Sequence, residues 1–417
     1  MMGNRIPPEQ NREIASWVKN ILAGNVSFLE GLTADDWGHF IAFAHKQGVA
    51  PVLYIALKSL PGSPYPEHLN ELRNIYRVDA QNNLLLYHEL GKVLRALDAA
   101  QIPVIVLKGA CLAEAVYGNI ALRSMSDVDL LVKKEDLEKT AEILKGCGYS
   151  AGYDFQVEKE IAVSLNHHLP PLEGPNKLQL EIHWTLFDYT YFEARDQDEE
   201  QVIDAWKRAQ PVTIEHTPCL MLAPEDLFLH LCIHLSRQHV FNMRMRHLLD
   251  LRKVWERYGE EFDWGMMYQR ARQWQVDRSV LLTVALAERL IGLMLPDSVK
   301  RILKTEGPDP NLLEWVEEKI LLESPNMKLP RFAARNSLWE KAGVLLKQFF
   351  PAPAVLARRY YSGLNPSDIK IYLFYPKHWC LLGKQGGRIV RSIFKDRATV
   401  VPSLQKEEAL RRWLAQT

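Results

Sequence analysis

VIVLKGACLAEAVYGNIALRSMSDVDLLV, residues 104–132, is the stretch on which the interpretation of the whole chain rests. The apolar, β-branched residues 102–107 predict a buried strand. Lys108-Gly109 ends that strand, and the alanine-rich residues 110–117 predict a helix directly after it. The pattern therefore predicts a strand, a glycine turn and a helix, followed by a second strand that begins at the SDVD sequence.

Two aspartates stand at the start of this second strand. Asp127 and Asp129 are two residues apart, so on a strand they project to one side, while Val128 and Leu130 point into a core. Paired carboxylates suit Mg²⁺, which binds through one or two carboxylates plus substrate phosphates. Two such ions can stabilise the attacking and leaving oxygens of a phosphoryl displacement. The pair therefore predicts a site for a metal ion and a phosphorylated substrate.

The Lys108-Gly109 turn is the candidate for contacts to phosphate. Backbone N–H groups around Gly109, at the start of the predicted helix, would hold a polyphosphate because helix N-termini attract anions. Lys108 would add a point charge to the same phosphates. A surface ion pair is the other interpretation of this lysine.

The order of these motifs resembles a known group of enzymes. Gly109, a short helix and then Ser126-Asp127-Val128-Asp129 before a strand resemble the nucleotidyltransferase superfamily of DNA polymerase β. The longer order of LKG, YG, Arg123, DVDLLV, a helix ending in GCGY and later EIHW resembles the bacterial family of uncharacterised nucleotidyltransferases. The resemblance covers residues 102–184 and extends more loosely to about residue 258. It implies an α+β fold whose mixed sheet is flanked by helical regions at both ends of the chain.

The resemblance also implies a reaction and its cofactor. A nucleotidyltransferase moves a nucleoside monophosphate from a nucleoside triphosphate (NTP) to an acceptor and releases pyrophosphate, with Mg²⁺ or Mn²⁺ bound. Asp127, Asp129 and a third carboxylate, Glu181, would bind the metals, and Glu181 is alternatively the base that takes the acceptor's proton. In LQLEIHW, strand alternation puts Glu181 and His183 on the face opposite the apolar residues. His183 would then either face the cleft or hydrogen-bond its own strand.

One motif departs from the superfamily pattern. Many members carry Gly-Ser where this chain has Lys108-Gly109, so the serine's phosphate contact has no direct counterpart. Lys108, Arg123 or Ser126 would have to replace it. For Arg123 the alternative is a salt bridge that braces the loop.

Several histidines and charged residues further along the chain are weaker candidates. His167 and His168, in the loop sequence NHHLPPLEGPNK, would contact substrate or only anchor the loop. Asp226, His230 and His234 have the i, i+4, i+8 spacing of metal ligands on a helix, but the apolar residues around them favour a buried structural role. Further along the chain are the charged residues Arg244, Arg246 and Asp250. For them, an ion-paired helix face is favoured over a position in the active-site cleft.

Length and composition bound the architecture. The 417 residues, 47% of them apolar, suffice for two or three domains. Five scattered cysteines without C-x-x-C spacing, and a start that lacks a hydrophobic signal region, predict a cytoplasmic protein without a transmembrane segment. We expect a helical N-terminal region (1–100), a nucleotidyltransferase core (101–215), a helical domain (216–324) and a basic, aromatic-rich segment (325–417).

Charge and composition identify the binding partners of the protein only in part. Lys plus Arg and Asp plus Glu both number 51, so net charge does not indicate a nucleic-acid partner, although one is possible. Residues 325–400 hold 14 Lys or Arg against 3 acidic residues, interleaved with aromatics, a surplus of 11 positive charges. The predicted partners are an NTP and an unidentified acceptor, which is a small molecule, peptide or protein.

The alternative function is a non-catalytic nucleotide- or partner-binding module that uses the basic segment. The sequence does not specify an oligomeric state.

Overall fold

The structure is a computed structural model that describes most of the chain. The described residues are 8–60, 66–150, 168–187, 198–259, 261–322, 349–351, 353, 356, 369–380 and 397–415. They divide into two compact units, of which the first spans residues 1–150 and 171–324 and the second spans residues 151–170 and 325–416. The nucleotidyltransferase motifs all lie in the first unit.

The predicted N-terminal helical region is present. Thr33 and Asp36 form the reciprocal capping box that starts the second helix. The fourth helix is 34 residues long, and it packs against the third helix and against the sheet. These helices are α1 (Pro8–Leu22), α2 (Ala34–Lys46), α3 (Ala50–Lys58) and α4 (Pro66–Ala99).

A six-stranded mixed sheet carries the candidate site. Its strands are β1 (Ile105–Leu107), β2 (Asp127–Leu131), β3 (Leu172–Glu173), β4 (Gln179–His183), β5 (Gln210–Ile214) and β6 (Thr217–Met221). They lie in the order β3-β4-β2-β1-β6-β5. β2 is antiparallel to β1 and parallel to β4, while β6 is parallel to β1. The predicted α+β class with a mixed sheet is confirmed.

The last two strands form a hairpin that sequence patterning did not predict. Glu215 and His216 connect them with φ angles of 46° and 59°, the left-handed conformation of a tight two-residue turn. Such turns favour Asn-Gly, and Glu-His gives no comparable signal. The sheet therefore continues to Met221, beyond the predicted end of the core at residue 215.

Further helices belong to the described part of the first unit. They are α5 (Lys108–Cys111), which continues as a π-helical turn (Leu112–Val116), α6 (Leu137–Gly146), α7 (Asp198–Arg208), α8 (Pro224–Ile233), α9 (Arg246–Tyr258), α10 (Trp264–Gln273), α11 (Asp277–Ile291), α12 (Asp297–Glu306) and α13 (Pro310–Leu322). Every residue of α8 is buried, and α11 packs against α8 and α9. Within the described residues, each helix is too short or too polar to cross a lipid bilayer.

The second unit is described only in part. Leu356 and Ile371 form a small core with Tyr375 packed against it, and α14 (Arg397–Ala415) is its last helix. Several large apolar side chains of this unit are exposed: Phe349, Phe350, Ile369, Tyr372, Leu373 and Trp379. Most of the predicted basic segment, and His167, lie outside the described residues.

Candidate active site

The candidate site forms where β1 ends and where β2 and β4 run side by side. The strand register sets Asp129 between Leu107 on one side and Glu181 on the other. Lys108 follows β1 directly and adopts a φ of 45°, a left-handed conformation uncommon for a lysine. This turn leads the chain into α5 beside Asp129. Pairing of neighbouring strands therefore brings together residues that are 21 to 54 positions apart along the chain.

Asp129 is buried and has two partners with hydrogen-bond donors. Lys108 Nζ and His183 Nε2 each lie 2.9 Å from Asp129 Oδ1. Burial alone would raise the pKa of Asp129, but the Lys108 charge and the His183 hydrogen bond hold that pKa well below its usual range. Asp129 is therefore a carboxylate that stays ionised. Lys108 therefore forms an ion pair, which was the alternative to a phosphate contact. The expected pair was at the surface, whereas the partner, Asp129, is buried.

Asp127 has the opposite electrostatic environment. It lies at the start of β2 and is more exposed than Asp129, and Ser126 Oγ donates to its Oδ1 at 3.3 Å. Burial raises the pKa of Asp127, and the nearby charges of Asp129 and Glu181 raise it further. Burial is the largest cause of the raised pKa, and the excess of negative charge from the two neighbouring carboxylates adds to it, while Lys108 and Arg123 act in the opposite direction. A bound cation would relieve that excess.

Three side chains are arranged closely enough to hold a metal ion. Asp129, Glu181 and His183 each offer one ligand atom, and these atoms lie within 4.8 Å of one another. His183 Nε2 is 3.5 Å from Glu181 Oε2, so His183 lies on the same side of the sheet as Glu181 and Asp129. Carboxylate oxygens and an imidazole nitrogen are ordinary ligands for divalent metals. No other group of His, Cys, Asp and Glu in the described residues is as closely arranged.

Arg123 braces the loop before β2. Its Nε and Nη2 donate to the two oxygens of Asp250 on α9, at 3.2 Å and 2.9 Å, and Tyr117 Oη donates to Asp250 Oδ1 at 2.8 Å. Burial alone would lower the pKa of Arg123, but Asp250 reverses the effect and raises it. The salt bridge that was the alternative for Arg123 is therefore present. A contact of Arg123 with phosphate, like that of Ser126, stays a prediction.

Gly109 is required by close packing beneath the turn. A Cβ atom at this position would lie 2.9 Å from Arg123 Nη1 and 3.0 Å from Met125 Sδ. Because Arg123 is fixed by Asp250, it has little freedom to move away. The glycine thus allows the loop that carries Arg123 to pack directly on α5, whether or not its backbone binds phosphate.

Histidines from the π-helical turn after α8 and from α9 lie near Lys108. His239 Nε2 is 3.2 Å from His234 Nε2, and the His234 and His247 rings are 6.2 Å apart. Burial, followed by the charge of Lys108, holds the pKa of His234 well below its ordinary value. Burial also holds the pKa of His247 well below its ordinary value, so the His234 and His247 rings are neutral packing partners at neutral pH, consistent with the structural role that the sequence favoured for His234.

Other charged candidates serve the scaffold. Asp226 is buried and forms ion pairs with Arg208 and Arg270, so it does not join its neighbouring histidines in a ligand set. Arg246 Nη1 donates to the Ser124 carbonyl at 3.0 Å, and burial lowers its pKa to about 10. Asp250 pairs with Arg123, in agreement with the ion-paired helix face that the sequence favoured.

Comparisons with known proteins give one family and one weak structural likeness. A family model described as uncharacterised nucleotidyltransferase matches residues 33–292, which is more than half of the chain. The solution structure of the antibiotic-resistance factor ANT(2'')-Ia is similar, with 15% sequence identity and a TM-score of 0.32. That match covers 43% of this chain and 87% of the other. None of the curated proteins matches.

Proposed function

This chain belongs to the family of uncharacterised nucleotidyltransferases, and on that basis we propose that it catalyses nucleotidyl transfer. It would move a nucleoside monophosphate from an NTP to an acceptor hydroxyl, amine or phosphate and release pyrophosphate. The single observation that most supports the proposal is the approach of Asp129, Glu181 and His183 to one point beside Asp127. The five cysteines are free thiols, which fits the cytoplasmic location that we also propose.

The carboxylates would hold Mg²⁺ or Mn²⁺ together with the triphosphate. Asp129 is ionised at neutral pH, and Asp127 and Glu181 add negative charge next to it. A divalent cation bound there would neutralise charge on the triphosphate and on the departing pyrophosphate. Lys108 and the backbone at Gly109 would contact the phosphates, and Ser126 is a further candidate for that contact.

The chain's own residues would orient the substrates and accept a proton. Glu181, the third carboxylate, would serve as a metal ligand, and its other proposed role is to take the proton from an acceptor hydroxyl or amine. The acceptor's lone pair then bonds to the α-phosphorus, and the bond from that phosphorus to the bridging oxygen breaks, with its electrons leaving on pyrophosphate. Catalysis would thus rest mainly on positioning and on charge neutralisation.

The proposal is tested by following the α-phosphate. Purified full-length protein is incubated with each α-³²P-labelled NTP, Mg²⁺ or Mn²⁺, and a cell extract. The small-molecule, peptide, protein and nucleic-acid fractions are then counted. We expect metal-dependent label in one fraction, and loss of that label with Asp127→Asn. If no fraction gains label under any condition, the proposal fails.

A second candidate function rests on the exposed apolar residues of the second unit. Ile369 and Leu373 are 80% and 76% exposed, and the described residues 369–380 contain two lysines and no acidic residue. This surface, in a segment with a surplus of positive charge, suits binding to an anionic partner. Full-length protein would then bind such a partner with an affinity that falls steeply with salt, without transferring nucleotide. Binding that does not respond to salt would contradict it.

A further inference from the structure

His183 differs from the carboxylate ligands that the nucleotidyltransferase resemblance implies, because it offers a nitrogen. It stands two residues after Glu181 on β4, so both side chains leave the same face of the strand. In the parallel register with β2, Glu181 lies beside Asp129 and His183 lies beside Leu131. His183 is 1% exposed, so its ring is buried against its partners rather than held at the surface.

The distances around His183 match those between ligands of one metal ion. Its Nε2 lies 2.9 Å from Asp129 Oδ1 and 3.5 Å from Glu181 Oε2. Neighbouring ligands of an octahedral ion with bonds of about 2.1 Å are separated by about 3 Å. The two pairs that involve His183 therefore have about the spacing of neighbouring ligands, and all three ligand atoms lie within 4.8 Å of one another.

We propose that His183 Nε2 is a direct metal ligand together with Asp129 and Glu181, and that this nitrogen makes the site prefer Mn²⁺ to Mg²⁺. The inference rests on the proposed function for the presence of a metal, and it extends that function by naming the ligand set and the metal. Mg²⁺ is a hard ion that prefers oxygen and keeps its waters, whereas imidazole suits transition metals. A nitrogen ligand thus shifts the preference toward Mn²⁺.

The competing role for His183 is to orient Asp129 from outside the metal's shell. Histidine and carboxylate often pair in this way next to a metal, with one of the two groups bound to the ion and the other holding it in place. In that role Nε2 keeps its hydrogen and donates it to Asp129 without touching the ion, whereas as a ligand Nε2 is bare and the ring hydrogen is on Nδ1. The two roles differ in one measurable property, which is direct bonding of a nitrogen to the metal.

Electron spin echo measurements on Mn²⁺ detect such a nitrogen. Wild-type protein, His183→Gln and the exposed-site control His88→Gln are each loaded with Mn²⁺ without nucleotide. We expect ¹⁴N modulation in the wild type and the control and its loss in His183→Gln. Calorimetric titration with Mn²⁺ and Mg²⁺ separately should show the Mn²⁺ preference falling about tenfold or more in His183→Gln.

Isotope labelling tests the ligand without a substitution. Wild-type protein grown with ¹⁵N-histidine should change the modulation from the ¹⁴N to the ¹⁵N pattern, even if His183→Gln does not fold. Absence of nitrogen coupling in the wild type, absence of Mn²⁺ binding, or coupling that persists in a folded His183→Gln would overturn the inference.

The same preparations are assayed for transfer, which separates this inference from the proposed function. Nucleotidyl transfer by a wild type that lacks nitrogen coupling would refute the His183 ligand alone. Nitrogen coupling without transfer to any acceptor would leave the ligand assignment intact and count against the proposed function alone.

Discussion

Lys108 Nζ lies 2.9 Å from Asp129 Oδ1, so the buried carboxylate forms an ion pair with a lysine of the same chain. The same oxygen lies 2.9 Å from His183 Nε2, while the side chain that donates a hydrogen bond to Asp127, two residues earlier, is the neutral Ser126 hydroxyl. Two carboxylates of one motif are thus in opposite electrostatic environments. One is stabilised in its charged form, and the other is destabilised by its neighbours.

The first prediction is that Asp129→Asn and Asp127→Asn change stability in opposite directions. Asp129→Asn leaves Lys108 buried without its counter-charge, which should lower the free energy of unfolding by about 3 kcal/mol at pH 7. Asp127→Asn removes a repelled charge, so it should raise the melting temperature or leave it unchanged. Thermal and urea unfolding of the two variants, which are matched in chemistry, measure the difference.

The pH dependence of these effects has a defined sign. The lowered pKa of Asp129 contributes stability that is present above its ordinary pKa of 3.8 and is lost as the pH falls through the folded-state value. The raised pKa of Asp127 destabilises the fold as the pH rises from 3.8 through its folded-state value, so the gain from Asp127→Asn should vanish below pH 3.8. Destabilisation by Asp127→Asn at pH 7 would contradict this assignment.

The second prediction concerns competition between Lys108 and the metal. Lys108→Met removes the internal cation from Asp129, so Mn²⁺ should bind several-fold more tightly in the absence of nucleotide. The same variant should bind NTP more weakly if Lys108 contacts the phosphates, giving a higher KM for the nucleotide. Calorimetry measures the first effect and steady-state kinetics the second, with Lys145→Met as a control because Lys145 is exposed on helix α6. If the Mn²⁺ affinity and the KM for NTP are both unchanged, Lys108 neither competes with the metal nor contacts the phosphates.

The third prediction separates bracing from phosphate binding at Arg123. Arg123→Met and Asp250→Asn each break a fully buried ion pair and should each cost about 3 kcal/mol of stability. In a double-mutant cycle, the combined variant should cost much less than the sum of the two, with a coupling of about 2 kcal/mol. If Arg123 only braces the loop, both single variants raise the KM for NTP equally. A larger rise with Arg123→Met alone would instead favour a phosphate contact.

The fourth prediction follows from the packing at Gly109. Gly109→Ala places a methyl group 2.9 Å from Arg123 Nη1 and 3.1 Å from Met125 Cγ, so it should destabilise the protein by about 1–3 kcal/mol. Gly38→Ala is the matched control, because Gly38 lies in helix α2 with nothing within 4 Å of the added Cβ. The control should be neutral or stabilising. If both variants are equally stable, the packing around Gly109 has room for a methyl group and does not require glycine.

Much of the site could be predicted because strand alternation is a local property. Leu180 and Ile182 are buried while Glu181 lies between them on the other face, as the LQLEIHW pattern indicated. Asp127 and Asp129 begin a strand whose apolar residues enter the core, as SDVDLLV indicated. Local patterns of apolar residues thus identify which side chains share a face.

The remaining features depend on register and on distant partners, which alternation does not encode. Whether His183 reaches Asp129 depends on how β4 pairs with β2, which no local pattern fixes. The partner of Arg123 is Asp250, 127 positions away on another element. The burial of Lys108 follows from a left-handed turn that lysine seldom adopts, so residue preferences favoured an exposed side chain.

The measurement that tests the central claim most directly compares two positions of the label in one NTP. Full-length wild type and Asp127→Asn are incubated with Mn²⁺, acceptor extract and either α-³²P- or γ-³²P-labelled nucleotide. We predict that wild type sends the α-label to the acceptor and the γ-label to pyrophosphate, and that Asp127→Asn does neither while remaining folded. The γ-label on an acceptor, or equal transfer by folded Asp127→Asn, would contradict nucleotidyl transfer by this site.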